Sequence, residues 1–562
     1  MRKTLFRGVA AVLFTPTLLW AQIAASTAVD SIAAKALATG EVAGLTVVVA
    51  RGANTLLHKG YGRADVELDV ATPRDAVYEI GSVTKQFTAA AILQLAEQGK
   101  LSLDDEITRY LPLYTTQGNR VTLRRLLDHT SGVKGYTEMA EFSRLSVQSL
   151  PRDTLVALFA SKPFDFRPGE AMRYNNSAYF LLGLVIERVS GLSYEKYLQQ
   201  YVFARAGMQA SRYCSNSAVV PNRAHGYEVD AGQLRRAPYL DHTWPYAAGS
   251  ICSTAGDLLA WTNALHRGRI LGPVAYREML TPGLLQDGTR LRYAAGIAVG
   301  DSLAGHAAIY HDGAIPGFSS ALAYLPDDSV IIVVLMNTLG PVNALGVTKS
   351  IVRALLGDLS PRGKPFRGDA ADYTGRFRGV GRSGDDMTLI VTGDSAAGLR
   401  LGVGTEPALP LTWLGGQTFG LGATRYTFVR EQNIVNTVRV DDVFSDWVFA
   451  RKSVVAEAAA EPLKDLRPTA EERQRFVGLY AVTDGKGGKP SAFRVYDEGG
   501  SLMGQMRTND PTRLMYQGGN LFRPEASPEF RIAFIIENGR ATKVTIVSPD
   551  VTMNGDRNDV RR

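Results

Sequence analysis

Apolar and polar positions change their period several times along the first 360 residues, and each change marks an element. Residues 26–39 carry an amphipathic helical pattern that stops at Gly40. GLTVVVARG and NTLLHKGYGRAD then read as two strands joined by a tight turn. From 78 to 99 the chain reads YEIGSVTKQFTAAAILQLAEQG. Phe87, Ala90, Ala91, Leu93, Leu95 and Ala96 there suit a helix buried on more than one side. Gly81 and Ser82 stand at its start and Gly99 at its end. LSLDDEITRYLP predicts a loop and short helix, VTLRRLLDHTSGV a helix ending in a turn, and 153–161 and 177–206 are mainly helical. Strand patterns resume in LRYAAGIAVG, HAAIYHDG, SSALAYLP and SVIIVVLMNT, and a last helix covers 343–356. Strands at both ends with helices between predict an α+β domain, one antiparallel sheet with a helical insertion, over 26–358.

After GDLSPRGKP the texture changes to short strands with many glycines, and a repeat emerges. YTGRF at 373–377 recurs as FVGLY at 476–480, and GGQTF at 415–419 as GGNLF at 518–522. Both pairs are offset by 103 residues (476 − 373, 518 − 415). The expectation is two consecutive antiparallel β-barrel modules, 365–453 and 464–558, joined by VAEAAAEPLKDLRP.

Composition narrows the setting. Arg2, Lys3 and Arg7 precede the apolar run GVAAVLFTPTLLWA, which reads as a signal peptide over 1–25, so the chain is expected in the periplasm or secreted. Pro16 and the run's shortness argue against a lasting anchor. Without the three leader charges, the net +7 falls to 7 − 3 = +4. No basic stripe supports nucleic-acid binding. Cys214 and Cys252 form one disulfide after export or remain two buried thiols.

The chemistry begins at Ser82. Lys85 lies one helical turn on and faces the same way, close enough to take the proton that makes a serine hydroxyl nucleophilic. Ser-x-x-Lys alone is weak evidence, since about two matches arise by chance in a chain this long. Ser131–Lys134 lies in the turn HTSGVKG, and Ser193 in GLSYEKYLQQY reads as a helix cap. Only Ser82 opens a long apolar helix. A third group is needed to relay the proton. Tyr174-Asn175-Asn176 is the chain's one Tyr-x-Asn, on a loop before a helix. Its plainer reading is a packed ring with Asn176 as the cap. His311-Asp312-Gly313-Ala314 continues a late strand expected at the edge of the cleft. There Gly313 admits close approach, and the Ala314 and Ser82 N–H groups form an oxyanion pair. His58-Lys59-Gly60 and His266-Arg267-Gly268 also match His-x-Gly, but in a hairpin and after a helix.

The order Ser82–Lys85, Tyr174–Asn176, His311–Gly313 resembles the serine β-lactamase and penicillin-binding-protein superfamily. The likeness is to the branch of class C β-lactamases, D-alanyl-D-alanine carboxypeptidases, D-aminopeptidases and esterases. GSVTKQFTA, LRRLLDHTSG, RPGEAMRYNNSAYFLLGLVIERVSG and HDGAIPGFSS carry the same resemblance over residues 27–357. The β modules resemble the lipocalin-like barrels of D-aminopeptidases. This resemblance implies Ser82 as acylated nucleophile, Lys85 as its base partner and Tyr174 as proton relay. It implies Asn176 as a substrate-amide contact and His311 as a group orienting the substrate carboxylate or the tyrosine. β-Lactamases of this type usually carry Lys-Thr-Gly where this chain has His-Asp-Gly, a form commoner in the peptidases and esterases.

The expectation is therefore an exported serine hydrolase that cleaves D-amino-acid peptides, peptidoglycan stem fragments or small esters. A β-lactamase proper and a slow penicillin-recognising sensor are the alternatives. No cofactor is implied, and the seven histidines show no metal-ligand spacing. The loop TDGKGGKP at 483–490 is a candidate lid, with a solvated hairpin as its plainer reading.

Overall fold

The computed structural model describes residues 16–360 without a break and most of 366–451 and 466–558. Residues 1–15, most of the linker between the two β modules, and 484–490 of the candidate lid lie outside the described residues. The chain divides into two compact units, one of residues 1–404 with 408–451, the other of 405–407 with 452–562. Among the described residues no helix is long and apolar enough to cross a membrane.

The first unit is built on a seven-stranded antiparallel sheet. Its order is Ala298–Leu303, His306–Ile315, Phe318–Leu325, Val330–Met336, Gly44–Arg51, Asn54–Asp65 and Val70–Ala71. The N-terminal hairpin thus completes a sheet begun by the late strands, Leu45 pairing with Met336 and Arg51 with Val330. The run TVVVA is apolar throughout because both faces are covered. Val47 and Val49 belong to one core and Val48 to the other. The helices Pro16–Ala38 and Ala344–Leu356 cover the first face, and Ala255–His266 crosses the second.

Local departures from the sequence reading have physical causes. The first helix starts at Pro16, not 26, since the leader residues Leu18, Leu19 and Ala21 are strong helix formers and Pro suits a first helical position. LRYAAG is not strand; the ladder begins at Ala298. Gly296 sits there at φ +71°, where an added Cβ would come within 2.6 Å of the Lys85 carbonyl oxygen. Close packing on the nucleophile helix has displaced the extended form. Cys214 and Cys252 are bonded. They tie Arg212–Tyr213 to Ile251–Ser253, which also pairs with Tyr78–Glu79 just before the nucleophile turn.

Each β module has its own aromatic core, around Phe377, Phe419 and Phe428 in one and Tyr480, Phe522 and Phe534 in the other. The second closes as an eight-stranded barrel from Gly478–Thr483 to Thr552–Arg557. The first is a curled sheet whose two end strands, Leu409–Pro410 and Thr412–Gly415, are one residue apart in sequence. The repeat is visible in three dimensions. First strands start at Gly375 and Gly478, 103 apart, and equivalent hairpins turn after Glu431 and Glu537, 106 apart.

Candidate active site

Ser82 sits in a 3-10 turn, Gly81–Val83, that runs directly into the helix Thr84–Glu97. Lys85 is fully buried. Its Nζ lies 3.1 Å from Ser82 Oγ, 2.8 Å from Asn176 Oδ1 and 2.9 Å from the Ala248 carbonyl oxygen. An ammonium has three protons to give and no lone pair. The Asn176 and Ala248 oxygens can only accept, so they claim two N–H groups in either protonation state. The third direction points at a hydroxyl that can accept or donate. A neutral Lys85 would therefore turn its lone pair on the Ser82 proton, the geometry a general base needs.

Tyr174 follows the two-residue strand Met172–Arg173 and is buried. The Lys85 Nζ lies 4.6 Å from its ring centroid. Asn175, not Asn176, caps the next helix, its side chain accepting from the Ala178 N–H at 2.9 Å. That leaves the Asn176 amide for Lys85 and for Thr137, whose Oγ1 it meets at 3.2 Å. His129 brackets the tyrosine: its carbonyl accepts from the Arg173 N–H at 3.1 Å, and its Nδ1 from the Asn175 N–H at 3.1 Å. Its ring lies 4.4 Å from that of Tyr174, and its backbone holds φ +61°, a strained value for a non-glycine residue.

The strand His306–Ile315 is flanked on one side by Ala298–Leu303, but that ladder stops at Tyr310. From His311 on, the strand is a sheet edge. Burial, with the Lys85 charge adding to it, pushes the His311 pKa down to about 3, so the ring is neutral. Its Nδ1 is 2.5 Å from the Asp312 carbonyl, which can only accept, so the proton sits on Nδ1. Nε2 then accepts from the Tyr293 hydroxyl at 2.9 Å. Gly313 is demanded by packing on the nucleophile turn. An added Cβ would stand 2.3 Å from the Ile80 carbonyl oxygen and 3.0 Å from the Ser82 nitrogen. Across the same seam, a Cβ on Gly81 would lie 3.1 Å from the Ala314 nitrogen. The two N–H groups of an oxyanion pair are thus carried by backbones in direct contact, and Ala314 is exposed.

Ser82, Lys85, Tyr174, Asn176, His311, Gly313 and Ala314 converge, while the competing matches do not. Ser193 caps a short helix, accepting from the Lys196 N–H, and Lys134 pairs with Asp165. Two residues escaped the sequence reading. His129 lies inside the quoted stretch LRRLLDHTSG, but a histidine there carries no periodic signal. Tyr293 looked like strand filling, and its role appears only through His311. Among the described residues no group of three or more His, Cys, Asp or Glu could hold a metal ion.

Residues 29–355 match the family described as Beta-lactamase. Penicillin-binding protein 4* of Bacillus subtilis is 28% identical over 309 residues, covering 52% of this chain and 67% of that protein. The putative penicillin-binding protein PbpX of B. subtilis is 30% identical over 294 residues, 52% of this chain and 70% of that protein. Among solved structures, a D-stereospecific amidohydrolase from Streptomyces sp. aligns with a TM-score of 0.51 at 25% identity. That alignment covers 59% of this chain and 98% of that one.

Proposed function

The chain belongs to the β-lactamase family, and from that premise we propose that it is an exported serine hydrolase acting through an acyl-enzyme on Ser82. The carrying observation is the buried Lys85, whose amine has two fixed acceptors and a third direction aimed at Ser82 Oγ. In this reading Ser82 Oγ attacks an ester or amide carbonyl while Lys85 takes its proton. The developing oxyanion meets the N–H groups of Ser82 and Ala314. Tyr174 carries a proton to the leaving group, water enters along the same path, and the acyl group departs. Asn176 keeps Lys85 in place and contacts the substrate amide.

Substrate class follows from the Gly313 edge. A neutral His311 with both nitrogens engaged offers no cation to a substrate carboxylate. This supports D-amino-acid amides, D-aminopeptidase-type peptides or short esters over β-lactams and carboxypeptidase substrates. A second reading, slow penicillin recognition, rests on the names of the two Bacillus relatives.

The test is covalent labelling with a fluorophosphonate, followed by assays with a D-alanine anilide, p-nitrophenyl esters and nitrocefin. Wild type should label once, turn over the anilide or ester many times, and barely open nitrocefin. Ser82→Ala should not label at all; persistent labelling would sink the assignment. Lys85→Ala and Tyr174→Phe should each lose about 100- to 10,000-fold in kcat while retaining the fold. Fast nitrocefin turnover would overturn the substrate class, and stoichiometric acylation without turnover would favour the sensor.

A further inference from the structure

The residue preceding each of the two active-site tyrosines, Tyr174 and Tyr293, is held by the first β module. Arg173 pairs with Ser445 and Met172 with Asp446, so the two-residue strand leading into Tyr174 is added to the edge of the module's last strand, Ser445–Arg451. Arg292, before Tyr293, is buried. Its guanidinium reaches Asp301 at 3.0 Å, the Asp441 carboxylate at 3.2 Å and the Asp441 carbonyl at 2.8 Å. Asp301 also accepts from the Tyr310 hydroxyl at 2.7 Å, one residue before His311. Between these two fastenings lies Val443, 3% exposed. It belongs to the hydrolase core that holds Met172, Tyr174, Leu285, Leu291 and Tyr293, not to the core of its own module. Further out, Arg439 pairs with Asp287 at 3.0 Å.

These contacts reach the chemistry in one step each. Tyr174 lies 4.6 Å from the Lys85 amine by its ring, and the Tyr293 hydroxyl donates to His311 Nε2 at 2.9 Å, holding that ring in place. Catalytic groups need sub-ångström placement, and a 1 Å error can cost about 100-fold. The segment 172–175 is held by His129, by Asp165 and the Val133 carbonyl, and by the module's hairpin.

We infer that Asp441, Val443 and the strand start Ser445–Asp446 of the first β module form a positioning element of the catalytic centre, setting Tyr174 and Tyr293 and thereby the rate of Ser82 acylation. This inference rests on the acyl-enzyme reading above. Asp441 and Val443 are its positioning residues; neither touches the reacting atoms.

The test uses the full chain with Val443→Ala, Asp441→Asn and, as the mildest variant, Arg439→Gln, which removes the outer Asp287 ion pair. Stopped-flow acylation by a p-nitrophenyl ester, steady-state kcat and KM, and thermal melting are compared, with active sites titrated by fluorophosphonate. For Val443→Ala and Asp441→Asn, the acylation rate and kcat should fall about tenfold or more with KM within twofold of wild type. Arg439→Gln should fall less, in the same pattern. A lowered melting temperature with acylation unchanged per titrated site would overturn the inference, leaving the hairpin a brace. If Asp441→Asn does not fold, Val443→Ala and Arg439→Gln decide the question. A wild type that fails to label would instead overturn the acyl-enzyme reading, so the two failures are distinguishable.

Discussion

The two β modules began as the same repeat and use their last strands differently. In the second, Thr552–Arg557 runs along the first strand for four pairs, Tyr480 with Arg557 through Thr483 with Asn554. In the first, among the described residues, the equivalent ladder has two pairs, Phe377 with Arg451 and Arg378 with Ala450. Further along that same edge, Met172–Arg173 of the hydrolase domain takes the next place. One module completes its own barrel; the other gives part of an edge to a catalytic segment. A strand edge is a row of unsatisfied backbone donors and acceptors, and here another strand, Met172–Arg173, covers part of the one left open. Divergence between repeats is thus better looked for in where their edges end than in their cores, which stay alike.

The strongest test of that contrast uses equivalent core positions. Phe428 and Phe534 are 1% and 3% exposed and lie 106 residues apart in matching strands. Phe428→Ala and Phe534→Ala should each destabilise their module by about 3–5 kcal/mol, read by chemical denaturation. Only Phe428→Ala should also lower kcat on an ester, because only that module holds the strand before Tyr174. Equal losses of kcat would break the comparison.

A smaller effect sharpens it through pH. All seven histidines precede residue 312, so neither β module carries one. His311 is buried and His266 half-buried, and they are pushed down to about 3 and about 4, in both cases chiefly by desolvation. Between those values and about 6.5 the unfolded chain binds protons that the folded chain refuses. The stability that these two histidines contribute is therefore complete above about pH 6.5 and is lost as pH drops through this window, while Asp128, raised to about 6 by burial, offsets part of that loss. Calorimetry at pH 7 and pH 5 should show its transition moving down more than that of the second barrel. His311→Gln should flatten the dependence, and an unchanged slope would show that this histidine does not titrate on unfolding.

Much of this was legible in the sequence, and the limits are instructive. The run TVVVA, the helix after Ser82 and the strand SVIIVVLMNT each carry a period longer than chance, and all form as expected. Repeat glycines showed the two modules because Gly415–Gly416 and Gly518–Gly519 hold the same positive-φ turn in both. Met172–Arg173 could not be seen, since two residues have no period, and its partner lies more than 270 positions away. The plainer reading of Tyr174–Asn176 puts the cap on Asn176 where Asn175 takes it, because either asparagine suits a helix start. Their separation depends on Lys85, which only tertiary structure brings near. His129 and Tyr293 act by contact alone, which pattern cannot record.

The shared edge also has a practical corollary for anyone dividing this protein for expression. A natural-looking cut after residue 358, just past the helix Ala344–Leu356, would separate the family-matching domain from what reads as an appendage. It would in fact strip the cover from Met172–Arg173, take the Asp441 partner from the buried Arg292, and remove the Val443 side chain from the hydrolase core. Such a fragment would be prone to aggregate, and its low yield would be misread as poor intrinsic stability of the enzyme. The shortest workable boundary lies after Arg451, where the first module ends.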